Sequence, residues 1–315
     1  MALLMNMKLL PLALLCGASL TLGAADKKIV LIAGNPSHGH LEHEHRAGML
    51  LFQKCLGSVP GVNVLVVSND WPKDVSVLEG ADAIVMFATG GSGHPLFKGD
   101  RLKTLDGLMQ KGVGFGTIHY AVEIPESKGG AEFLRWQGGY FLTNWSVNPH
   151  WDANFTNLPN HEITRGVQPF HVRDEWYYHM KFAPSGVTPI LAAIPPDSTR
   201  GKPGANDGHG GNPEVQKHKG EAETMVWAFE RPDGGRGFGF TGAHDHKNWG
   251  NENFRKVGLN AILWIAKVPV PPNGVECVVT AEDIMQNLDP KGQKPKAQAN
   301  PAKIEPFISP TLPGK

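Results

Sequence analysis

The chain has 315 residues, 30 basic and 30 acidic side chains, and a hydrophobic fraction of 41%. That composition suits a globular protein with a large core and excludes a mostly disordered one. Balanced charge with no outstanding Lys/Arg run supplies no long-range field toward nucleic acid or anionic lipid, so function must reside in a local site.

At the N-terminus, Lys8 precedes the apolar stretch LLPLALLCGASLTL and then GAAD. Gly23 and Ala25 are small at the two positions a signal peptidase inspects. Residues 1–25 are therefore expected to be a signal peptide cleaved before Asp26, leaving an exported protein, periplasmic or secreted. The run is too short for a membrane span. Cys55 and Cys277 remain in the mature chain. Spacing alone does not say whether they pair, and the plain reading is two buried thiols.

The continuous apolar run 28–33 (KIVLIA) predicts a strand covered on both faces, and 41–56 follows with apolar residues at helical spacing. Residues 63–68 and 83–87 repeat the strand signal, 100–110 predicts a helix opened by Asp100, and 114–119 predicts another strand. Alternating strands and helices imply an α/β parallel sheet with helices on both faces, whose ligands bind at the carboxyl ends of the strands. The folded unit is expected over 26–270, with a loop at 195–221 and an extended or disordered tail over 271–315.

Histidines gather where such a sheet binds ligands. SHGHLEHEH (37–45) holds four of them in nine positions directly after the first strand. His38 follows that strand, His94 the third and His119 the fourth, while His244 and His246 follow the late strand 237–241. Sequence-distant imidazoles delivered to one sheet edge converge, as a metal or acid/base site requires. His38, His119, His244 and His246 are the candidate ligands of a divalent metal, zinc or manganese. His119, Glu175, Glu123 and His179 are the candidate catalytic groups. His43 and His45 rank lower: they open the helix, and His45 shares a stripe with Leu41, Gly48 and Phe52 that packing would explain. His161 reads as a turn residue, and Asp174 as a solvated or capping carboxylate.

The block from 140 to 180 is rich in aromatics, including Trp145, Trp151, Trp176, Tyr177 and Tyr178. Flat apolar rings with polar rims suit either a core or the C–H faces of sugars. Trp145, His150, Trp151, Tyr177 and His94 are the candidate substrate contacts.

The segments GVGFGTIHYA, GGYF, HEITRGV with DEWYYH, and GRGFGFTGAHDHKNWGNENFRKVGLNAILWIA resemble the ThuA-like (trehalose-utilisation) family, over about residues 28 to 270. The resemblance implies a flavodoxin-like, class I glutamine amidotransferase-like sheet. Glutaminases of that fold carry a nucleophilic cysteine in the turn after this strand, where the present chain reads GTIHYA. Without a thiol, the thioester route from glutamine is closed. The resemblance implies instead a small-molecule carbohydrate, an oxidised keto-sugar or disaccharide derivative, handled by isomerisation, elimination or hydrolysis. No nucleotide cofactor is expected. The alternative is a noncatalytic carbohydrate-binding protein that stacks sugars on the aromatic block.

Overall fold

The computed structural model describes residues 26–204 and 209–291. The expected signal peptide, 1–25, and the terminal stretch 292–315 lie outside the described residues. The strands expected early in the chain form as β1 (Lys27–Ala33), β2 (Val62–Val67), β3 (Ala83–Phe87) and β4 (Gly114–Ile118), with helices α1 (His45–Leu56) and α2 (Arg101–Met109) between them. Then come α3 (Ala131–Gln137), β5 (Gly139–Tyr140), β6 (His150–Phe155), β7 (Phe170–Glu175), β8 (Lys181–Phe182) and β9 (Val187–Ala193). After α4 (Pro213–Lys217) the chain builds β10 (Glu223–Glu230), β11 (Arg236–Phe240), α5 (Glu252–Ile265) and α6 (Ala281–Met285).

The central sheet runs β2-β1-β3-β4-β11-β10-β9. Its first five strands are parallel neighbours, while β10 lies antiparallel to both β11 and β9. The expected parallel sheet is thus present, extended by an antiparallel edge. Only residues 231–235 join β10 to β11, too few for a crossover helix, so those two strands must form a hairpin.

The apolar run of β1 divides by period two between two cores. Ile29, Leu31 and Ala33 pack with Met49 and Phe52 of α1 and Leu259 and Ile262 of α5. Val30 and Ile32 pack on the other face with Leu105 and Met109 of α2 and Phe133 and Trp136 of α3. Gly114 lets α5 approach: a Cβ there would lie 2.2 Å from the Ile265 carbonyl oxygen.

Three sequence expectations change. The helix expected from residue 41 begins at His45, because His38, Leu41 and His43 adopt left-handed backbone with φ of 62°, 65° and 45°. That geometry is incompatible with a right-handed helix. The tail expected from 271 is packed as far as Lys291. Cys55 and Cys277 form a disulfide with Cα atoms 5.2 Å apart, correcting the reading of two free thiols. Val275 is buried, and α6 carries a capping box between Thr280 and Asp283. Among the described residues, no helix is long and apolar enough to cross a membrane.

Candidate metal centre

Four separate segments meet at the carboxyl edge of the sheet. His119 is the first residue after β4 and has φ 53°, a strained turn that aims its ring back across the strand ends. Its Nδ1 lies 2.8 Å from the Thr241 carbonyl. A carbonyl only accepts, so Nδ1 carries the proton and Nε2 presents a lone pair. His43 arrives from the loop after β1, its N–H donating to the His244 carbonyl at 3.0 Å. His244 and Glu175 come from the turn after β11 and the end of β7.

Asp174 holds the turn that carries His244. Buried beside Glu175, it accepts from the N–H groups of Ala243 (2.9 Å) and His244 (3.0 Å) and from Asn248 Nδ2 (2.8 Å). Ala243 has φ 87°, and this carboxylate stabilises the bend. Of the two readings of Asp174, solvated or capping, the capping one holds: it caps the turn at 243–244. Groups that orient a ligand in this way typically set metal affinity by about 10–100-fold. Asp174→Ala is accordingly expected to weaken zinc binding in that range while leaving the ligands themselves intact, as titration with a competing chelator would measure.

Four ligand atoms converge, one each from His43, His119, His244 and Glu175, all within 4.8 Å of one another. His43 Nε2 lies 3.0 Å from His119 Nε2 and 3.0 Å from His244 Nδ1. Glu175 Oε2 lies 2.9 Å from His244 Nδ1 and 3.4 Å from His119 Nε2. With metal–nitrogen bonds of about 2.0–2.1 Å, tetrahedral geometry sets ligand atoms about 3.3 Å apart, matching this spacing. The electrostatics agree. The His119 lone pair faces a carboxylate oxygen and a second imidazole nitrogen, an arrangement that repels itself unless a proton or cation sits between. Burial and the neighbouring imidazoles push the His43 pKa far down, keeping it a neutral donor. Burial would raise the Glu175 carboxyl, but the His119 and His244 rings beside it outweigh that and hold its pKa well below the usual carboxylate range. The donor set fits zinc or manganese.

The candidates fall as follows around this centre. His119 and His244 are in it, together with Glu175. His38 is not one of the four: its ring, on an exposed residue, stacks on that of His43 at 3.6 Å between centroids. His150 lies at the rim, its ring 4.7 Å from that of His244. The Tyr177 hydroxyl lies 3.3 Å from His119 Nε2 and 3.4 Å from Glu175 Oε2, but its ring is buried against His119 and offers no face to a sugar. Burial raises that phenol well above its usual range, so it remains a hydroxyl donor.

Several expectations are corrected. His246 is buried elsewhere, its Nε2 donating to the Ile284 carbonyl at 3.0 Å, and burial lowers its pKa to about 4. His94 is buried in its own loop and accepts from the Leu96 N–H. Trp151 lies in the core and donates to the Trp176 carbonyl. His179 pairs with Glu223 at 3.2 Å and stacks on Trp145, whose ring also lies 3.3 Å from Lys181 Nζ. That group sits apart from the four-atom set. Glu123 is buried and accepts from Thr143 at 3.3 Å. It and the Tyr120 hydroxyl share the space beside Gly91, and Tyr120 in turn lies 5.9 Å from the His43 ring. His161 does mark a turn, accepting from the Ile163 N–H. His43 is the member of the cluster that helical periodicity conceals.

The sequence matches the family described as trehalose utilisation, ThuA, over residues 29–265. The chain belongs to the ThuA family. A ThuA-like protein from Bacteroides uniformis superposes with a TM-score of 0.52 at 17% identity, covering 77% of this chain and 92% of that one. A second, from Parabacteroides merdae, gives 0.51 at 15% identity, covering 81% and 94%. At such identities the likeness concerns the fold alone. No curated protein sequence matches the chain.

Proposed function

We propose that this ThuA protein is an exported enzyme acting on keto-sugar or disaccharide derivatives, through one divalent cation held by His43, His119, His244 and Glu175. The observation that carries the reading is the convergence of three imidazole nitrogens and a carboxylate oxygen at ligand-to-ligand spacing. Zinc or manganese bound there supplies positive charge that polarises a substrate carbonyl and stabilises negative charge growing on its oxygen. A keto group acidifies the neighbouring C–H, and isomerisation or elimination then needs a base that is not spent on the cation. Glu123, on the Tyr120 side of the cluster, is assigned that role. His38 and His150 line the mouth and contact sugar hydroxyls, while Tyr177 keeps its hydroxyl directed at the ligand oxygen of Glu175. Membership in a family described by trehalose utilisation supports the substrate class. The Cys55–Cys277 disulfide supports export, because disulfides persist in oxidising compartments.

The noncatalytic alternative needs open aromatic faces. Trp151, Trp176 and Tyr178 are all buried, so the aromatic block serves mainly as core.

Incubation of zinc- or manganese-loaded protein with a 3-keto-disaccharide should consume the keto absorbance seen in alkali. Intact keto-sugar after exposure to metal-replete protein would retire the enzyme reading. Glu123→Gln is expected to lower turnover by at least about 100-fold, the usual minimum for a general base, with metal content unchanged. Loss of metal in that variant would instead make Glu123 part of the ligand shell.

A further inference from the structure

The C-terminal segment returns to the loop that carries His43. Glu44, immediately after that histidine, is fully buried. Its Oε2 accepts from the Asp289 N–H at 2.7 Å, while its Oε1 accepts from the Leu41 N–H at 3.0 Å and lies 3.2 Å from Lys291 Nζ. Lys291 also donates to the carbonyls of Glu42 and His43. Farther back on the same segment, the Ile284 carbonyl accepts from His246, Arg46 pairs with Asp289, and the disulfide fixes Cys277 to α1.

A left-handed backbone at a non-glycine residue persists only when its surroundings overdetermine it. His43 is such a residue, and Lys291 grips the carbonyls on both sides of its N–H. A buried carboxylate likewise needs a compensating cation, and Lys291 supplies it to Glu44.

We propose that residues 289–291, stapled by the Cys55–Cys277 disulfide, position His43 in the cluster, so that the metal affinity of the centre is set from the far end of the folded chain. Lys291 is a positioning residue: it touches none of the four ligand atoms and acts through the backbone of the 41–45 loop. Its consequence for metal affinity rests on the metal reading above, whereas the positioning of the loop does not.

The test compares the full chain with Lys291→Met and Lys291→Arg by amide hydrogen exchange and by zinc titration. Lys291→Met should exchange faster at 41–45 with β3 unchanged, and should bind zinc about 10–100-fold more weakly, as expected for a group behind a ligand. Lys291→Arg, which keeps the cation, should retain both properties. Unchanged exchange at 41–45 in Lys291→Met overturns the proposal, as does unchanged zinc affinity in a chain whose wild type binds zinc. A wild type that binds no zinc sinks the metal reading, while faster local exchange still upholds the positioning role. Should Lys291→Met fail to fold, reduction of the wild-type disulfide with a phosphine must raise exchange at 41–45; no change there overturns the proposal equally.

Discussion

His43→Ala is expected to abolish stoichiometric binding of zinc or manganese and to lower keto-sugar turnover by more than about 100-fold, beyond the loss typical of a residue merely behind a ligand. The ring supplies the central nitrogen of the set, 3.0 Å from both His119 and His244. Without it the remaining donors are two imidazoles and one carboxylate, with a gap where the buried ring stood. Folding should be affected less than binding, because the deletion also relieves crowding among bare lone pairs. Elemental analysis and thermal melting of the same preparation separate the two effects. Full metal occupancy in His43→Ala would remove this residue from the centre. His119→Ala makes a poorer probe. Its ring is wholly buried and satisfies the Thr241 carbonyl, so truncation would damage folding as well as chemistry.

Trp264→Ala should act on stability alone. The side chain is 1% exposed on α5, with the His161 ring at 5.1 Å and the Arg236 guanidinium 4.7 Å over its face. Removing an indole from such a site costs about 3–5 kcal/mol through lost transfer energy and the cavity left behind. For a chain of this size that corresponds to a fall in Tm on the order of 10 °C. Metal content should remain at the wild-type level, since α5 contributes no ligand atom. A melting temperature within a degree or so of wild type would mean that the helix repacks around the void.

These two variants mark what is legible in the sequence and what is not. The core side is legible because continuous apolar runs and stripes of period 3.6 follow directly from burial: β3 and β4 are buried at every position, α1 buries one side, and α5 is buried nearly all round. His119 and His244 are legible for a related reason: a parallel sheet delivers residues after its strands to one edge. His43 is not. Its placement goes with φ 45° in a loop whose apolar spacing mimics a helix start, and the carbonyls flanking it accept from Lys291, nearly 250 residues farther along the chain. His246 misleads for the same physical reason. It shares the HDH motif with His244, but its ring is buried toward Ile284, in a segment whose composition suggests a tail. The Cys55–Cys277 pair and the antiparallel edge β9–β10 are likewise set by nonlocal contacts that local periodicity does not encode.

The most direct measurement is the metal content of wild-type protein beside the His43→Ala and Glu175→Gln variants, after incubation with zinc or manganese and removal of loosely held ions by gel filtration. One ion per wild-type chain, and close to none in either variant, is the predicted result. Wild-type protein that emerges free of metal, or variants that retain as much as wild type, would contradict a cation centre at the ends of β1, β4, β7 and β11.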